Sequence, residues 1–259
     1  MSDLALFRGA LKDLLSPKKA IASLILILLP ALLSLFWRAS AGTEFQSEIV
    51  YNTLAAGLLF GFILVILSAV FGTGVLSQEM EQKTIVYLLT HPVPRWRILF
   101  MKFLAAFFVI AITVSLSTIA LAFATYGSKG LSDSPLARDL LVLHIGALGY
   151  GSLFLLLSTI IHRPLLYGLL FAFGWESWVP TMPGNFQKIS LMSYLRVLAP
   201  HPQPEAESVE ISQLLTVLNP TTIPESTAIG VVLGVIVMAL TTAFILFSVK
   251  EYVPRDDME

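Results

Sequence analysis

The chain has 259 residues, of which 56% are apolar, 13% are charged and none is cysteine, and its formal net charge is −1 at pH 7. Soluble domains carry roughly 25% charged residues, so the composition is that of an integral membrane protein, and a near-neutral chain without a basic tail offers nucleic acid no electrostatic footprint. The lack of cysteine excludes disulfides, thiolate metal sites and thiol catalysis, and leaves the redox compartment undetermined.

Residues Met1 to Lys19 repeat Leu4, Phe7, Leu11, Leu14 and Leu15 at three- and four-residue spacing, with Arg8, Lys12 and Asp13 elsewhere on the wheel. This predicts an amphipathic helix in the headgroup plane, broken at Ser16-Pro17. Ala20 to Trp37 is long enough to cross about 30 Å of hydrocarbon at about 1.5 Å per residue. Ala39-Ser40-Ala41 imitates a signal-peptide cleavage site, but the apolar run is too long and its flank is amphipathic rather than basic, so a retained first span is expected. A small polar loop with Glu44 and Glu48 leads to the second span, Leu54 to Leu76. Small residues let membrane helices approach, which makes Gly57 and Gly61 candidate packing positions.

Leu76 to Phe103, LSQEMEQKTIVYLLTHPVPRWRILFMKF, is a polar, charged interruption between two apolar segments. Ile85, Leu88 and Leu89 form an apolar edge on a short helix carrying Glu79, Glu81 and Lys83. His91-Pro92 ends that helix, because the residue before proline is pushed out of the helical region. Pro92 and Pro94 stiffen the exit, and Trp96 between Arg95 and Arg97 anchors the next span at the headgroups. Such a lever, residues 77–97, carries a rigid-body push from a docked partner into two spans.

The third span, Ile98 to Tyr126, has Lys102 near its start, placed to snorkel. After the polar loop Gly127 to Asp139 comes the fourth span, Leu140 to Ile161. His162-Arg163-Pro164 turns into a fifth, with Pro164 at the first helical position, where its missing donor costs nothing. This fifth segment ends at Val179, shorter than the roughly 20 residues of a full crossing, and closes in Trp175-Glu176-Ser177-Trp178. Glu176 fits two readings: a wet carboxylate in an aromatic belt, or the outer gate of a translocation path. Phe186, Ile189, Met192, Leu195 and Leu198 lie on one stripe, which predicts an interfacial helix within an extracytoplasmic loop over 180–227. Ala228 to Val249, with Gly230 and Gly234 as further packing positions, is the sixth span.

The fold class expected is therefore all-α, a single six-span transmembrane domain over 1–259 with no internal repeat. With both termini inside, eleven lysines and arginines fall on inner segments and five on outer ones, so the positive-inside rule puts the termini and the lever in the cytoplasm.

No G-x-x-x-x-G-K-[ST] phosphate loop is present, so ATP is not hydrolysed here by that route. His91, His144, His162 and His201 fall on different segments without ligand spacing. Ser152 stands about 12 Å along one helix from His144, too far to share a proton. The centres of the spans carry none of the acidic or basic residues by which ion-coupled carriers work. Power must then enter through the cytoplasmic face.

The lever resembles the cytoplasmic segment of the permease subunits of type-2 ABC transporters, which reads E-x-E-x-G-T, then Leu-Leu, then P-V-x-R, an aliphatic residue and a lysine. Glu79, Glu81, Thr84, Leu88, Leu89, Pro92, Val93, Arg95, Ile98 and Lys102 fall on those positions, while Lys83 replaces the usual glycine and Pro94 stands where serine is common. HRPLLYGLLFAFGWESWVPTMPGNFQKIS is similar to the fifth-span region of one branch of these permeases. The resemblance implies a multi-pass subunit of a bacterial inner (plasma) membrane, working as an exporter. Its expected partners are cytoplasmic ATPase subunits, which bind the ATP and magnesium, and a second permease subunit. This chain itself would hold no cofactor and catalyse nothing. The residues alone leave an ATP-independent carrier or channel as the alternative.

Overall fold

The computed structural model describes residues 3–81, 94–128, 134–182, 184–202 and 223–250. Helix α1, Asp3–Leu14, buries Leu6, Ala10 and Leu14, with Phe7 set edge-on against Phe108 at 5.7 Å between ring centroids. It therefore packs on the third span.

Helix α2, Pro17–Ala41, starts with proline in its first turn and inverts the pattern of a soluble helix. Its buried residues are Ser23, Pro30 and Ser34, while Ile21, Leu24, Ile25, Leu32 and Phe36 point outward. An apolar exterior with a small-residue seam is what a helix in lipid requires. Pro30 has no N–H to give the Leu26 carbonyl, and the Ser117 hydroxyl of the facing helix donates to that oxygen at 3.1 Å instead.

The second span is one rod of three parts: α3, Ser47–Leu54, a π-helical stretch over Ala55–Leu64, and α4, Val65–Glu81. Helix α5, Arg95–Tyr126, ends at Gly127, whose φ of 68° lets its N–H reach back to the Phe123 carbonyl. Helix α6, Leu136–Ile160, forms the core with α4 and α5, around Tyr51, Phe60, Phe71, Tyr150 and Phe154. Helix α7, Pro164–Leu170, passes into a second π-helical stretch, Phe171–Glu176. Helix α8 is Leu191–Leu198, and α9, Glu225–Val249, packs on α6 and α8.

No strand occurs among the described residues, and five helices are long and apolar enough to cross a membrane. The fifth segment expected from the sequence is not among them. Its thirteen helical residues, Pro164 to Glu176, rise about 20 Å, short of a hydrocarbon core.

Three expectations change. The stripe from Phe186 to Leu198 is not one interfacial helix. Gly184–Ile189 is a 3-10 stretch with Phe186 and Ile189 exposed, whereas α8 buries Leu191, Met192, Leu195 and Leu198 in the bundle. Lys102 is buried at 8% exposure rather than reaching to headgroups. Among the described residues, a Cβ on Gly57, Gly230 or Gly234 meets no atom within 4 Å, and one on Gly61 meets only the nearby Ala56 carbonyl. The close approach lies at Gly72, where a Cβ would sit 3.0 Å from the Phe154 Cβ and 3.2 Å from the Gly151 carbonyl oxygen.

The span hydroxyls mostly bond their own helices. Thr113 donates to the Val109 carbonyl at 2.8 Å and Ser158 to the Leu155 carbonyl at 2.6 Å, as expected of serine and threonine in membrane helices.

Candidate functional site

The polar chemistry gathers at the two ends of the bundle. The end that bears the coupling stretch expected from the sequence, here the coupling end, holds Arg95 and Lys250; the distal end holds the start of α3, the end of α5 and α8.

At the distal end, Glu176 closes the π-helical stretch after α7 and is 4% exposed, so it is not the wet carboxylate of an aromatic belt. The Ser190 hydroxyl donates to it at 2.6 Å, and the backbone N–H groups of Leu191 and Met192 donate at 3.2 Å each. Those amides are the first of α8, whose opening turn has no intrahelical acceptors for them. A residue of the fifth segment thus caps a helix 15 residues further on, and its negative charge matches the positive end of the helix dipole. The hydroxyl of fully buried Tyr150 lies close to the same carboxylate.

The other end of α8 is matched with the opposite charge. Arg138 donates through Nε to the Leu198 carbonyl and through Nη2 to Glu225 at 3.0 Å. The side of α8 rests on glycines: a Cβ on Gly146 would come within 2.9 Å of Leu195 Cδ1, and one on Gly149 within 2.9 Å of Leu191 Cδ2. Helix α8 is therefore seated on α6, capped by the fifth segment and tied through Arg138 to the start of α9.

Just beyond α8, the Asp139 carboxylate, 1% exposed, accepts the Tyr51 hydroxyl at 2.7 Å, and His201 Nε2 lies 3.2 Å from the same oxygen. The Phe60 ring covers the imidazole, 5.3 Å between centroids. Closer to mid-span, Ser115 Oγ meets His144 Nε2 at 3.3 Å while His144 Nδ1 faces the Leu140 carbonyl. Two of the four histidines thus have side-chain partners that spacing along the chain did not reveal. Among the described residues, no three His, Asp or Glu side chains converge to hold a metal.

At the coupling end, Glu79 and Glu81 lie in the last turn of α4, and Arg95 is the first residue of α5. Thr84, Ile85, Leu88, Leu89 and Pro92 lie outside the described residues. Arg95 Nη1 donates to the Lys250 carbonyl at 3.3 Å, and Lys250 Nζ donates to the Thr159 carbonyl at 3.0 Å. The exit of the lever is so joined to the last turns of α6 and α9. Lys19 Nζ lies 6.0 Å from the centroid of the Phe71 ring on α4.

A bundle of lipid-facing helices, a short fifth segment and a charged lever at one end is the setting in which the similarity to known proteins is informative. The family model described as ABC-2 family transporter protein matches residues 39–252. The chain belongs to the ABC-2 transporter family. It is thus a multi-pass ABC permease, a membrane transport component that is not itself catalytic, and the family implies ABC ATPase subunits as its partners. The match leaves out α1 and most of α2. No curated protein matches the chain.

Proposed function

We propose that this ABC-2 permease is the membrane subunit of an exporter driven by a separate cytoplasmic ATPase, with the segment from Glu79 to Arg95 as the docking lever and the distal end as the extracytoplasmic gate. The observation that carries the reading is the lever's position. It joins the last turn of α4 to the first residue of α5, so a push on it reaches two packed helices of the core. Docking that buries Leu88 and Leu89 contributes on the order of 1.5–3 kcal/mol per side chain. Glu79, Glu81, Thr84, Ile85, Pro92 and Arg95 shape and stiffen the contact. ATP and magnesium belong to the partner.

A second permease subunit, identical or similar, completes the path. Gly230 and Gly234, exposed one turn apart on α9, offer a surface for it, as do Gly57 and Gly61 on the second span. Closure of the ATPases selects between two packings of the bundle. At the distal end the piece that moves is α8, held through Glu176. The eleven-to-five distribution of lysine and arginine supports cytoplasmic termini in a bacterial plasma membrane.

The test is co-purification of the ATPase with wild type and with the Leu88→Glu, Leu89→Glu double variant, alongside ATP-dependent transport. At least a tenfold loss of association is expected. Unchanged association together with unchanged transport would sink the coupling role.

A further inference from the structure

We propose that His201 and Asp139 form a proton-operated latch, tighter in acid than in base, that pins the chain leaving α8 to the second and fourth spans.

The pair is built for such a role. The His201 and Asp139 side chains are 3% and 1% exposed and 3.2 Å apart, with Tyr51 donating to the same carboxylate oxygen at 2.7 Å. Both partners of Asp139 come from elsewhere in the bundle, so the contact is tertiary and can open without unfolding a helix. His201 stands between Pro200 and Pro202. Proline fixes its own φ and restricts the residue before it, which stiffens the backbone that carries the imidazole. The ring itself is held by Asp139 and by the Phe60 ring against it.

The sign follows from the groups that face the carboxylate. On α6, Arg138 is the neighbouring residue, but its guanidinium is engaged by the Leu198 carbonyl and by Glu225 of α9. From α3 come Tyr51 and, one turn earlier, exposed Glu48; from α5 comes Tyr126, 5.4 Å from Tyr51 between ring centroids. Tyrosines are neutral donors, and the two glutamates add negative charge. Within the pocket, His201 is the group that can supply Asp139 with a cation. Protonation turns the contact into a buried ion pair with a third hydrogen-bonded partner. Deprotonation leaves a desolvated carboxylate with two neutral neighbours. Acid on this side therefore holds α8 down, and base releases it. The consequence for transport rests on α8 belonging to the gate; the latch chemistry does not.

The chain has no cysteine, so single cysteines report without background. In the full-length protein in membranes, Ala199→Cys places a thiol where the native residue is 2% exposed, and Met182→Cys places one at an exposed reference position on the same side of the bundle. The ratio of their labelling rates by a membrane-impermeant maleimide removes the pH dependence the two thiols share, and the His201→Gln background removes what burial adds to it. That ratio is expected to rise at least threefold from about pH 6 to about pH 8, across the range where histidine switches. In a His201→Gln background, where the side chain still donates but cannot titrate, it should be flat. In Tyr51→Phe the step should persist at a higher level. A flat ratio in the native background, or an equal step in His201→Gln, overturns the latch. If Ala199→Cys fails to reach the membrane, half-buried Val197 serves as the cysteine position, where a threefold rise again supports the latch and a flat ratio again overturns it. Labelling of Met182→Cys in intact cells or only in inverted vesicles decides the orientation separately.

Discussion

The distal and coupling ends of this permease are held together by opposite means. At the distal end, two buried carboxylates carry the contacts: Glu176 caps the start of α8 and Asp139 takes Tyr51 and His201, while the exposed Arg138 reaches the carbonyl at the other end of α8. At the coupling end, Arg95 and Lys250 make exposed or half-buried bonds to carbonyls at the last turns of α6 and α9. Buried polar groups are costly to strip of partners, whereas exposed ones exchange with water at little cost. The distal end therefore has few well-separated arrangements, and the coupling end can shift gradually. In the proposed function, the coupling stretch would act at the softer end and the gate at the stiffer one.

The comparison can be broken by substitution. The largest effect is expected from Glu176→Ala, which strands the Ser190 hydroxyl and two backbone amides in a buried site and should cost about 3 kcal/mol. Thermal unfolding of the purified protein measures it, and Glu176→Gln, which keeps one acceptor, should lose about half as much. Gly72→Ala comes next, at about 1–3 kcal/mol, because its Cβ would meet the Phe154 Cβ and the Gly151 backbone rather than a pliant side-chain tip. Gly230→Ala is the control and should leave the monomer's stability unchanged. A Gly230→Leu variant that runs as a monomer where wild type runs as a dimer would place the second subunit on α9. Ser117→Ala should cost about 0.6 kcal/mol by leaving the Leu26 carbonyl without a donor. Smallest in stability is Arg95→Ala, under about 1 kcal/mol, and its effect should appear instead in the stimulation of the partner's ATP hydrolysis. If Arg95→Ala destabilised the fold as much as Glu176→Ala, the contrast between the ends would be wrong.

The all-α membrane class was legible because apolar runs need only length and hydropathy to be read. The stretch from Leu76 to Phe103 stood out because its charges interrupt those runs, and its resemblance pointed to the family that the chain belongs to. The short fifth segment announced itself by stopping at Trp175-Glu176. The distal cluster was not readable: Asp139 is 88 residues from Tyr51 and 62 from His201, and no local spacing encodes such a meeting. The π-helical stretches over Ala55–Leu64 and Phe171–Glu176 were equally hidden, because a uniformly apolar segment has no face whose periodicity could betray the wider turn. Glycine spacing misled for a related reason. A four-residue glycine repeat marks where a neighbour could approach, and among the described residues the neighbours approach most closely at Gly72, Gly146 and Gly149, outside such a repeat. His201 between two prolines was the one available hint of a fixed distal side chain.

The most direct test of the account asks whether α8 must move when the ATPase works. Gly149 and Leu191 face each other across the contact of α6 with α8, a Cβ on Gly149 lying 3.9 Å from Leu191 Cγ, so Gly149→Cys with Leu191→Cys is the pair to cross-link by oxidation, its closure checked by the loss of free thiol, and no native thiol competes. In the complex with its ATPase, oxidation of the pair is expected to reduce stimulated ATP hydrolysis to the basal rate, and reduction should restore it. Full stimulated hydrolysis and transport with the disulfide closed would contradict the account.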